Sequence, residues 1–122
     1  VTVVALALAG GLGALLRFGV ERAVRSRLGP RFPWGTLVIN VSGSFALGVL
    51  VAAAARHHAT SSVTTVLGVG LLGAYTTFST FTVDTAGLIE RRRWGPAAAN
   101  VGASLAAGLA AGALGLALGH VV

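Results

Sequence analysis

The residues best suited to chemistry lie in one run: Gly68-Val69-Gly70-Leu71-Leu72-Gly73-Ala74-Tyr75-Thr76-Thr77-Phe78-Ser79-Thr80-Phe81-Thr82. Three glycines are followed by five Ser and Thr residues in the middle of an uncharged stretch, the pattern of an interrupted helix. An unwound turn frees carbonyls on one side and amides on the other, which a membrane interior tolerates only where the backbone is buried in protein or faces a cavity. Freed carbonyls and hydroxyls suit a small hard cation, and the N-terminus of a resumed half-helix suits an anion. The competing reading is a continuous helix whose Ser and Thr hydroxyls bond back to the i−4 carbonyl. Phe78 and Phe81 are three apart and share a face on the resumed helix. The edge of a phenylalanine ring carries positive charge, so ring edges in a pore contact an anion more weakly than arginine does, and weak, multi-site contact is what conduction requires.

Other polar residues fall into stripes. Thr36, Asn40 and Ser44 recur at i+4 with Gly43 and Gly48 alongside, and Asn100, Ser104, Gly108 and Gly112 do the same near the end of the chain. Small residues let helices approach closely where lipid supplies no hydrophobic drive, whereas an Asn in hydrocarbon must find a partner or line a cavity. Arg17 is the one arginine within an apolar segment, where it either snorkels, pairs with Glu21 at i+4, or faces water. Asp84 is the one acid well inside the third apolar run, and a structural-partner or vestibule role fits it better than proton carriage. His57, His58 and His120 are assigned no function, since adjacent histidines do not make a full metal site.

These residues must be positioned by membrane helices. The chain has 122 residues, 55% hydrophobic and 10% charged, with a mean hydropathy of +0.86, against about a quarter charged in a soluble domain. Counting uncharged runs gives four helices at about 2–20, 35–55, 63–88 with a break near 73–77, and 96–119, forming a single transmembrane domain over 1–122. Each is long enough to cross about 30 Å at about 1.5 Å per residue. The first run has no basic segment before it and reads as a span rather than a secretory signal. Gly29-Pro30, Pro33 and Gly95-Pro96 punctuate the connections, and Trp34 and Trp94 stand at segment starts, where interfacial indoles belong. The class is all-α, because lipid-exposed strands leave backbone groups unpaired.

Nine arginines face three acids, a net charge of +6. They sit between apolar runs rather than along a folded surface, so nucleic acid is not the partner and membrane lipid is. Arg22, Arg25, Arg27 and Arg31 lie in the first connection and Arg91, Arg92 and Arg93 in the third, against Arg56 alone in the second. Arginine excess marks the cytoplasmic side, which places both termini outside. Without cysteine there is no disulfide framework or thiol nucleophile. There is also no nucleophile and base pair, nucleotide loop or metal-ligand cluster, so the chain does not read as an enzyme.

Three stretches together carry a resemblance: Gly10-Gly11-Leu12-Gly13-Ala14-Leu15-Leu16-Arg17, Gly35-Thr36-Leu37-Val38-Ile39-Asn40-Val41-Ser42-Gly43-Ser44-Phe45, and Gly73-Ala74-Tyr75-Thr76-Thr77-Phe78-Ser79-Thr80-Phe81. In this order they resemble the Fluc (CrcB) fluoride channels. The resemblance implies four-helix subunits paired as an antiparallel, dual-topology dimer that exports fluoride passively through the cell membrane. It implies Phe78 and Phe81 as aromatic contacts in the fluoride pore, with Asn40 donating nearby and Ser79, Thr80 and Ser104 as further hydroxyl donors. Arg17 would draw anions into a vestibule. The carbonyls of Gly73 and Thr76 would hold a structural Na⁺ on the dimer axis that is not transported. Many relatives have Tyr where this chain has Asn100. A subunit that inserts both ways should show little arginine bias, so the bias points to pairing with an oppositely oriented homologous subunit, with a homodimer as the alternative. The alternative is a small multidrug-type cation/proton antiporter, which needs a membrane-embedded acid that the first segment lacks.

Overall fold

The computed structural model describes residues 1–122, and every element in it is helical. Helix α1 spans Thr2–Leu28, α2 Trp34–Arg56, and α6 Trp94–Gly119. Between α2 and α6 the third span, Ser61–Glu90, is assembled from α3 (Ser61–Thr65), a π-helical segment (Val66–Leu72), α4 (Gly73–Tyr75) and α5 (Phe78–Glu90). All four spans are long and apolar enough to cross a membrane.

Helix α1 runs beyond the uncharged stretch, through Arg22, Arg25 and Arg27, because arginine is a good helix former and charge ends a span without ending a helix. It stops at Gly29, whose φ of 79° suits glycine and whose N–H returns to the Arg25 carbonyl, and Pro30 follows. Arg25 and Arg27 occupy the last turn, where they oppose the negative end of the helix dipole. The Arg93 guanidinium donates to the Arg31 carbonyl and ties the first connection to the third.

Helices α2 and α6 form the closest pair. A Cβ on Gly115 would strike the Phe45 carbonyl, and one on Gly48 would strike the Gly112 carbonyl, so the two backbones touch without side chains between them. Helix α1 packs instead on the third span, where a Cβ on Gly13 would collide with the Leu71 carbonyl. Only 15 of 122 residues are buried, and large apolar side chains such as Leu8, Leu15, Leu105 and Leu109 lie exposed around the bundle. In water that surface would be untenable; in a bilayer it is the face that lipid or another subunit covers.

Candidate functional site

The third span breaks at Thr76 and Thr77, both in extended conformation, with φ and ψ of −79° and 160° at Thr76 and −148° and 124° at Thr77. The glycine run before them does not unwind. It widens into the π-helical segment, with the Gly73 N–H returning to the carbonyls of Gly68 and Gly70. Glycine thus loosens the winding while the threonines, whose branched side chains favour extended backbone, carry the break itself.

Two devices satisfy the backbone at the break. Thr77 caps α5, its Oγ1 accepting from the Thr80 N–H at 3.1 Å, as an N-cap threonine does. Asn40 clasps Thr77 from α2: its Nδ2 donates to the Thr77 carbonyl at 2.8 Å and its Oδ1 accepts from the Thr77 N–H at 2.9 Å. That N–H would close on the Gly73 carbonyl in a continuous helix, so the clasp takes away the donor that Gly73 would otherwise meet. Gly43, one turn along α2, leaves room for the Thr76 methyl, which a Cβ there would overlap.

A groove of about 370 Å³ opens at the break. Asn40, Gly43 and Ser44 line it from α2, Gly73, Thr76, Thr77, Phe78 and Phe81 from the third span, and Ser104 from α6. Phe78 and Phe81 pack with ring centroids 5.8 Å apart and planes tilted by 42°, one face of α5 as their spacing requires. Phe78 is 79% exposed, so the groove is open on the side where this ring stands.

The structure therefore brings together Asn40, Gly73, Thr76, Phe78, Phe81 and Ser104 of the residues singled out from sequence. Ser79 and Thr80 are exposed and lie off the groove, their hydroxyls turned to Thr77 Oγ1 at 3.3 and 3.1 Å. Asn40 is less free than a pore donor needs to be, because one of its amide hydrogens is committed to Thr77; the other remains. Arg17 does not pair with Glu21. Its Nη1 reaches the Thr76 carbonyl at 3.5 Å, while the Glu21 carboxylate packs on Gly35 at the start of α2.

The back-bonding expected of a continuous helix occurs on both sides of the break. Thr76 Oγ1 donates to Leu72, Thr82 to Phe78 and Thr85 to Phe81, each to the i−4 carbonyl. Asp84 has a structural partner: Thr36 Oγ1, on a residue 2% exposed, donates to its Oδ2 at 2.8 Å. Sequence reasoning missed Thr77 as the pivot of the site. Its signal was local, a threonine at the start of a helix with a hydroxyl residue at the third helical position.

The family described as CrcB-like protein, Camphor Resistance (CrcB), matches residues 4–116. The chain belongs to the CrcB-like family. A protein of Novosphingobium aromaticivorans named fluoride-specific ion channel FluC is 44% identical over 115 residues, covering 93% of this chain and 91% of that protein. One of the same name from Chelativorans sp. is 43% identical over 116 residues, covering 94% and 93%. Another from Alteromonas mediterranea is 48% identical over 97 residues, covering 79% and 76%. CrcB-like membership, four membrane-crossing helices and the bend in the third agree with the reading from sequence.

Proposed function

We propose that this chain is a subunit of a fluoride-selective passive channel that releases cytoplasmic fluoride across the plasma membrane and so protects against fluoride toxicity. The observation that carries the reading is the groove at the Thr76 and Thr77 break, lined by two phenylalanine rings, an amide and hydroxyls, in a chain whose relatives are named fluoride-specific ion channels. A path for a small anion must replace water with N–H and O–H donors and ring edges, none of which holds the ion as tightly as a guanidinium does. Ser104, the free N–H of Asn40 and the edges of Phe78 and Phe81 supply that set, and the N-terminus of α5 adds its partial positive charge. Ser79 and Thr80 join only from the outer side of the capped turn. Arg17, half-buried beside the break, attracts anions toward it.

The groove is open on one side, and an antiparallel, dual-topology dimer closes it with a second subunit. Gly73 and Thr76 are the carbonyls proposed for a structural Na⁺, a hard cation that prefers oxygen donors: the Thr77 N–H that would engage the Gly73 carbonyl is taken by Asn40, and the Thr76 carbonyl, which accepts from Arg17 at 3.5 Å, has a second lone pair. Such an ion would draw main-chain carbonyls of the two subunits together at the break. The concentration of arginine in the first and third connections supports an orientation with both termini outside, and favours an oppositely oriented homologous partner over a second copy.

Two experiments test this. Liposomes carrying the chain, alone and with the candidate partner, should release fluoride rapidly to a fluoride electrode and retain chloride; equal release of both ions from folded, inserted protein refutes a fluoride-selective channel. Because the chain has no cysteine, single cysteines at His58 and Arg92 report sidedness with an impermeant thiol reagent. Labelling in intact cells at position 58 and not at 92 is expected, and equal labelling at both would favour dual insertion.

A further inference from the structure

Helix α6 carries a polar feature that the groove does not explain. Asn100 is fully enclosed, at 0% exposure, and its Oδ1 has no hydrogen-bond partner in the protein; neither does the buried Oγ of Ser104, one turn further along the same helix. The orientation of the Asn100 amide is fixed by its neighbours. Thr85 Oγ1 spends its only proton on the Phe81 carbonyl at 2.8 Å, so it can only accept from Asn100, and Asn100 Nδ2 donates to it at 2.9 Å. Oδ1 is therefore an acceptor turned away from Thr85, buried and without a donor. A buried polar oxygen without a donor is costly, and a native structure meets that cost with a partner.

We propose that Asn100 Oδ1 and Ser104 Oγ hold a bound water between them, and that this water turns the Ser104 hydroxyl proton toward the groove. Residues one turn apart on a helix have Cβ atoms about 5–6 Å apart, a span that one water bridges. The water donates one hydrogen to Asn100 Oδ1 and the other to Ser104 Oγ. Ser104, already receiving a hydrogen, presents its own O–H to the groove it lines beside Phe81. Donation along such a chain polarises each member, so the terminal hydroxyl is a better donor to an anion than an isolated serine. Asn100 is thus a positioning residue for Ser104, and an acceptor at position 100 serves an anion path by never facing it. The assignment rests on the fluoride reading proposed above.

The test uses the conducting assembly in liposomes and two measured fluxes, fluoride and chloride. Asn100→Leu should slow fluoride release about tenfold, the cost of losing one buried hydrogen-bonding partner. Ser104→Ala should do the same, and the double variant should be no slower than either single variant, because both remove one chain of donors. Asn100→Asp keeps an acceptor for the water while protonated and adds a negative charge beside the path when ionised. Its fluoride flux should fall as pH rises from about 6.5 to about 9, a dependence absent from the unmodified chain, while the double-variant comparison is what separates positioning of Ser104 from a merely structural role. Losses that multiply in the double variant, or an Asn100→Asp flux flat with pH, overturn the proposal. Failure of the unmodified assembly to release fluoride selectively would instead overturn the channel reading, so the two failures are distinguishable.

Discussion

The α2 and α6 pair and the third span solve opposite problems in the same bundle. Helices α2 and α6 run unbroken, and glycines at 48, 115 and 119 let their backbones meet, so the pair is held by close packing with its main-chain hydrogen bonds kept within each helix. The third span gives up helical continuity at Thr76 and Thr77, and polar groups released there are met by Asn40, by the Thr77 cap and by Arg17. Packing by small residues tolerates no added volume but asks nothing of hydrogen-bond geometry. A broken helix tolerates change in volume along its open groove but requires each released donor and acceptor to be answered.

Substitutions separate the two regimes. The largest effect is expected from Gly115→Leu, whose side chain would run into the backbone of Phe45 and Val49; it should cost about 3 kcal/mol, the upper range for overpacking, and show as loss of folded protein in a denaturation series. Asn40→Leu is close in volume yet strands both backbone groups of Thr77. It should cost about 2 kcal/mol and, unlike a packing variant, abolish fluoride flux in the protein that still folds. Thr36→Val removes the donor to Asp84 and should cost about 1.5 kcal/mol by the same denaturation measurement. Gly102→Ala, on the open side of α6 with nothing within 4 Å of the added methyl, should raise stability by about 0.5 kcal/mol or leave it unchanged. A loss at Gly102 as large as that at Gly115 would show that α6 is packed on a face the single subunit leaves open, and would extend the close-packed regime to the subunit interface.

The same contrast explains what could be read in the sequence. Four spans were legible because length and charge are local properties, and the glycine stripes of α2 and α6 because their period is helical. Helix ends were less so, since Arg22 to Arg27 end the apolar run without ending α1. The break was legible in kind but not in detail. Glycine and threonine composition marks a weak helix, yet which residues leave it depends on Asn40, 37 positions away and on another helix. The π-helical winding of Val66–Leu72 was not specified by its glycines, which loosen a helix without dictating a wider turn; in the fold this segment packs closely on Gly13 of α1. Phe78 and Phe81 were placed together by spacing alone, whereas the absence of Ser79 and Thr80 from the groove follows from the Thr77 cap, which redirects their hydroxyls.

The proposed fluoride path runs through the groove at the break, past two phenylalanines. It is tested most directly by fluoride and chloride efflux from liposomes containing the assembly, unmodified and with Phe78→Ala and Phe81→Ala together. Fast, fluoride-selective release is expected from the unmodified protein, with near-complete loss in a double variant that still folds and inserts. Undiminished fluoride release from that variant would contradict it.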